Sequence, residues 1–133
     1  MENITFNPGS LFNSRQYGFS QVVVAEPGRM VFVSGQVGWD KDENIMGKND
    51  LETQTEKALN TLSLAMESAG GKLEHITMLR IYKVNYQPED GPVISSALRK
   101  TFGTENPPAS TWISVAGLAS EDFLIEIEAQ GVI

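Results

Sequence analysis

One segment constrains the fold more than any other. From Phe123 to Val132, Phe123, Ile125, Ile127 and Ala129 alternate with Leu124, Glu126, Glu128 and Gln130. A period of two is the signature of a strand, whose successive side chains point to opposite faces. One set is apolar and needs cover. The other carries two carboxylates and needs water or a partner. A chain with such a strand builds a sheet covered on one face and open on the other.

The covering elements are legible. Asn49 to Ala69 reads as a helix, with Asn49 as its cap and Glu52 three residues on as in a capping box. Leu51, Ala58, Leu62, Ala65 and Ala69 form its apolar stripe, and Gly70-Gly71 stops it. Pro92 opens a second helix in which Ile94, Leu98, Thr101 and Phe102 share a face before Gly103 ends it. Strands are expected at Phe19–Glu26, Met30–Val37, Ile76–Asn85, Ser110–Ala116 and Phe123–Val132. Pro27 and Gly28 supply a turn, which predicts a hairpin between the first two. The order is ββαβαββ: an α+β fold in which both helices cover the same face of one mixed or antiparallel sheet. In Ser110–Ala116, Ser110, Trp112 and Ser114 alternate with Thr111, Ile113 and Val115. Trp112 is expected on the open face, which predicts that this face meets another subunit.

Composition bounds the function. The 133 residues suit a single domain, contain no internal repeat or linker, and have 41% hydrophobic and 20% charged residues, as a globular chain should. The opening MENITFNPGS reads as neither a secretory signal nor a transit peptide. There is no cysteine, so disulfides, thiol nucleophiles and Cys-ligated metals are excluded, which fits a reducing cytoplasm. A net charge of -7 makes nucleic acid a poor partner, and no apolar run is long enough for a membrane span.

Few residues can carry chemistry. His75 is the sole histidine and cannot build a His-rich metal site; it reads as a surface residue at a strand edge. Gly35-Gln36-Val37-Gly38 is too short for a dinucleotide fingerprint, and its glycines read as a turn or a close backbone approach. Arg80 shares parity with Ile76, Met78, Tyr82 and Val84, an otherwise apolar set. A guanidinium there pairs with Glu126 or Glu128, meets a ligand, or snorkels to water. Glu126 and Glu128 are solvated or paired, or one of them holds a water in a partly dry subunit cleft.

The pattern resembles the RidA/YjgF family, also known as L-PSP endoribonucleases or translation inhibitors. The resemblance runs from about Gly18 to Val132. It is carried by Gly18-Phe19-Ser20-Gln21, Phe32-Val33-Ser34-Gly35-Gln36-Val37-Gly38, Asp50-Leu51-Glu52-Thr53-Gln54-Thr55, Pro107-Pro108-Ala109-Ser110-Thr111-Trp112 and Leu124-Ile125-Glu126-Ile127-Glu128-Ala129. It implies a chorismate-mutase-like fold over residues 1–133 and a homotrimer whose sheets form a barrel, with a ligand cleft at each subunit interface. It also implies hydrolysis of enamine or imine intermediates to a carbonyl product plus ammonia, with neither cofactor nor metal. By position, Glu126 orients the attacking water, and Ser34 and Gly35 line the cleft. Phe19 stands where the family often has tyrosine, Ser95 near a frequent asparagine, and Trp112 in the place of a cysteine. Thr111 lies between the matched positions of that strand.

The largest departure is Ser110, which stands where active members carry an arginine that forks onto the substrate carboxylate. Charge-assisted hydrogen bonds are worth ~1.5–3 kcal/mol each, so serine there implies an altered substrate. Three functions follow: an imine or enamine hydrolase, a metabolite-binding trimer without catalysis, and RNA cleavage or translation inhibition. The acidic balance and the lone histidine oppose the last.

Overall fold

The computed structural model describes residues 3–133. Its elements are β1 (Ile4–Phe6), β2 (Val22–Val24), β3 (Met30–Val37), α1 (Leu51–Ser68), β4 (Ile76–Val84), α2 (Asp90–Phe102), β5 (Ala109–Val115) and β6 (Ile125–Val132), with 3-10 turns at Ser14–Tyr17 and Leu73–His75. The main sheet has the order β3-β6-β4-β5. β6 is antiparallel to both β3 and β4, while β4 and β5 run parallel.

Both helices lie on one face. Ala58, Leu59, Leu62 and Met66 of α1 and Ile94, Ala97 and Leu98 of α2 bury against Val33, Leu79, Ile81, Ile125, Ile127 and Ala129 of the sheet. The apolar set of β6 is fully covered, as its alternation requires. The stripe of α1 is rotated from the expected one: Leu59 and Met66 are central, whereas Ala69 is exposed. The helix cap is Asp50 and not Asn49. Asn49 has a positive φ of 60°, and the Asp50 carboxylate accepts from Thr53 N at 3.2 Å and Thr53 Oγ1 at 2.7 Å. A cap needs extended backbone, and Asp50 has it.

The expected hairpin between the first two long strands does not form. β2 pairs with β1, Ile4 opposite Val24 and Phe6 opposite Val22. β3 turns instead to β6, with Arg29 and Ile133 exchanging backbone bonds of 2.7 and 2.9 Å. β1 is only three residues long, too short to show a pattern of its own, and it satisfies the ladder that β2 presents. Before β2, Ser20 makes a parallel bridge to Ala109, and this lays Phe19 beside β5.

Gln54 fixes the entry to β6. It is fully buried; its Nε2 donates to Asp122 O at 2.9 Å and Gly47 O at 3.2 Å, and its Oε1 accepts from Leu124 N at 2.9 Å. An α1 side chain thus sets the start of the strand that carries Glu126. Across the top of the sheet, Lys83 Nζ lies 3.1 Å from Asp90 Oδ2 and donates to Val84 O, joining β4 to the first turn of α2.

Candidate functional site

Residues directly paired across strands point to the same side of a sheet. On the open face, Thr111, Arg80 and Glu128 form one row; Ile113, Tyr82 and Glu126 form the next. The register between β3 and β6 slips between Val33 and Gln36, so Ser34 and Gly35 form a bulge. That bulge holds Glu126. A methyl group at position 35 would sit 2.0 Å from Glu126 Oε2 and 2.6 Å from its Cδ. The carboxylate lies across bare glycine backbone, a resting place no other residue provides. Ser34 is exposed beside it, its carbonyl accepting from Gln36 Nε2 at 2.9 Å.

Electrostatics single out the same group. Partial burial, and then the negative charge of Glu128, push the Glu126 carboxyl above its ordinary range. Tyr82 donates its hydroxyl to Glu128 Oε1; that bond first, and burial second, raise the phenol. Arg80 faces Glu128 directly across the strand pair, yet among the described residues it makes no ion pair. Tyr82 occupies the carboxylate that sequence parity offered to Arg80. Of the three readings of Arg80, the ion pair with Glu126 or Glu128 is the one the structure removes.

The remaining site residues gather elsewhere. Leu79 pairs with Ser110 and Ile81 with Trp112, and both β4 residues are buried under the helices. Ser110 and Trp112 therefore lie on the covered side, at the β5 edge, and the expectation of Trp112 on the open face is corrected. Parity alone separates two sets without saying which faces in, and the indole supplies the apolar surface that set needs. Trp112 packs against the core, and its Nε1 donates to Ser110 Oγ at 2.7 Å. Phe19 lies 6.1 Å from it, centroid to centroid. Ser95 sits on the α2 turn against which Gly18 packs: a methyl at position 18 would be 3.2 Å from Ser95 O. Among the described residues the buried hydroxyls of Ser95 and Ser20 have no partner.

Two half-sites result. Phe19, Ser95, Ser110 and Trp112 surround the β5 edge on the covered side; Ser34, Gly35, Arg80, Thr111 and Glu126 occupy the open face. Within one chain the sheet separates them. His75 belongs to neither: it closes the turn before β4, its Nδ1 accepting from Lys72 N at 2.9 Å. Sequence reasoning missed Gln54 and the positioning partner Tyr82. Tyr82 carried a signal, since it shares parity with Arg80; Gln54 stood in the matched Asp50–Thr55 stretch, but nothing in the sequence pointed it at Asp122 and Leu124. Among the described residues no helix is long and apolar enough to cross a membrane, and no three His, Asp or Glu side chains converge as metal ligands.

Comparison with known proteins agrees with this fold. The Rid-family protein YyfB of Yersinia pestis superposes with a TM-score of 0.95 at 32% identity, covering all of both chains. The YjgF structure from E. coli gives a TM-score of 0.68 at 25% identity, over 81% of this chain and 84% of that one. A RutC family protein of Pyrococcus horikoshii is 30% identical over 111 residues, 84% of this chain and 83% of its own. Residues 14–133 match the family model described as endoribonuclease L-PSP. The chain belongs to that family, the RidA/YjgF proteins.

Proposed function

We propose that this chain is a cofactor-independent hydrolase of reactive enamine or imine intermediates, acting in the cytoplasm as a homotrimer. The cleft is closed by two copies: one supplies Glu126, Ser34 and Gly35, the other Phe19, Ser95, Ser110 and Trp112. The observation that supports this most is Glu126, lying over Gly35 with its proton affinity raised by burial and by Glu128. A carboxylate so placed can orient a water and accept its proton as oxygen adds to the C=N carbon. The carbinolamine then releases ammonia, leaving the carbonyl product. Two copies are invoked because the sheet divides the half-sites. The open face also leaves Met30 and Phe32 of β3 64% and 65% exposed, with Ile113 at 38%, and a second copy would cover them. Ser110 adds no charge, so the substrate differs from those an arginine at that position would hold.

The test is a coupled assay in which an amino-acid oxidase releases a 2-imino acid and semicarbazide competes for it. The protein is expected to lower semicarbazone yield, and Glu126→Gln to lose at least a hundredfold of that activity without loss of thermal stability. Absence of turnover with every imine tried would sink the proposal. A second reading, a trimer that binds a metabolite without converting it, is favoured by the bond that ties Ser110 to Trp112. Under it, Glu126→Gln binds ligand as the wild type does and neither protein turns anything over. RNA cleavage, named in the family's description, is opposed by a net charge of -7.

A further inference from the structure

The β5 edge carries an aromatic run to which water positioning assigns no task. Ring centroids lie 6.3 Å apart for Phe12–Tyr17, 6.2 Å for Phe12–Phe19, 6.1 Å for Phe19–Trp112 and 6.5 Å for Tyr86–Trp112. The rings come from three separate segments and converge on Trp112. Phe12 and Tyr17 are 61% and 46% exposed, apolar area that water solvates poorly.

Trp112 has its polar need met from inside. Its N–H is spent on Ser110, so only its π-face is left for recognition. Phe19 and Tyr86 both meet it at 57°, and neither lies flat on the indole. Of the basic side chains near these rings two are engaged, while Arg15, on the turn between Phe12 and Tyr17, is exposed and makes no ion pair among the described residues. Lys83 is held by Asp90 and Val84 O, and Arg99 donates to Gln16 O. Two buried hydroxyls in the same corner, Ser20 next to Phe19 and Ser95 against Gly18, have no partner among the described residues. The corner therefore offers flat apolar surface with two unspent hydroxyls buried behind it.

We infer that the ligand presents an aromatic ring to Trp112, between Phe19 and Tyr86, with a hydrogen-bonding group beside the ring. This rests on the cleft holding a small molecule, whether or not that molecule is hydrolysed. The probes are phenylacetamide and acetamide, titrated calorimetrically into the full chain. Phenylacetamide is expected to bind at least tenfold more tightly. That preference should vanish in Trp112→Leu and in Phe19→Leu, two variants so that one misfolding leaves the other informative. Light scattering and thermal melts accompany each.

Equal affinity for the two amides overturns the inference, as does a preference that survives both substitutions. So does loss of assembly in both variants, which would make the rings a contact between copies. Imine turnover that ignores ring-bearing substrates refutes this inference and leaves hydrolysis standing. Ring preference without any turnover does the reverse.

Discussion

The two faces of the sheet are built from the same strands and obey different rules. On the covered face, Leu79, Ile81, Ile125 and Ile127 are almost completely buried against two helices, and neighbours satisfy one another within the chain. On the open face, Arg80 has no ionic partner among the described residues, Glu126 rests on bare backbone, and Met30 and Phe32 face water. The first face is complete except at its β5 edge; the second is complete only with something from outside. Stability is thus concentrated on the covered face, and unspent binding capacity on the open face and at that edge.

Three measurements would break or sharpen that contrast. The largest effect belongs to the covered face. Ile127→Ala removes a fully buried side chain and is expected to cost about 2–5 kcal/mol in urea unfolding. Its neighbour Glu128→Ala should stay within about 1 kcal/mol, and comparable losses would show that the open face also carries the fold. The second effect is on activity. Gly35→Ala sets a methyl where the Glu126 carboxylate lies, and the end of that flexible side chain can swing away more easily than the backbone can move. Misplacing a reacting group by about 1 Å costs on the order of a hundredfold in rate, so imine hydrolysis should fall by that much while the melt changes little. A melt that collapses with activity would make Gly35 a structural glycine only.

The smallest effect is in pH dependence. The Glu126 carboxyl is raised by burial first and by Glu128 second, so the folded chain binds its proton more tightly than the unfolded chain does. The stability this proton contributes is present below the unfolded value of 4.5 and is lost as pH rises through the higher folded value. Glu126→Gln should therefore be slightly more stable than wild type at neutral pH, with the advantage disappearing in acid. In wild type the acid limb of activity should lie above the usual carboxylate range, and Glu128→Gln should move it down. A limb that stays put would remove Glu128 from the control of Glu126.

Much of this was legible beforehand. The alternation in β6 gave both faces, and the helices and the placement of Glu126 followed. What could not be read depended on partners remote in sequence. Val22–Val24 chose a three-residue strand that propensity cannot detect. Trp112 went under the helices because Ile81, its partner in the parallel ladder, is there. Among the described residues Arg80 has no ion pair, because Tyr82, two residues along, took Glu128. The Ser34-Gly35 pair stood out as a motif, but its role as a rest for Glu126 required the register slip that brings it there.

The position of β6 has a consequence for synthesis. It lies between β3 and β4, which share no ladder with each other, and yet it is the last of the strands to be made. As the chain leaves the ribosome, β4 can pair with β5, but β3 has no neighbour and β4 keeps an open edge until β6 arrives. Unpaired edges of that kind recruit other chains. The nascent protein thus passes through a late interval in which most of its sheet exists as two separate pieces, and its last eight-residue strand decides between folding and aggregation.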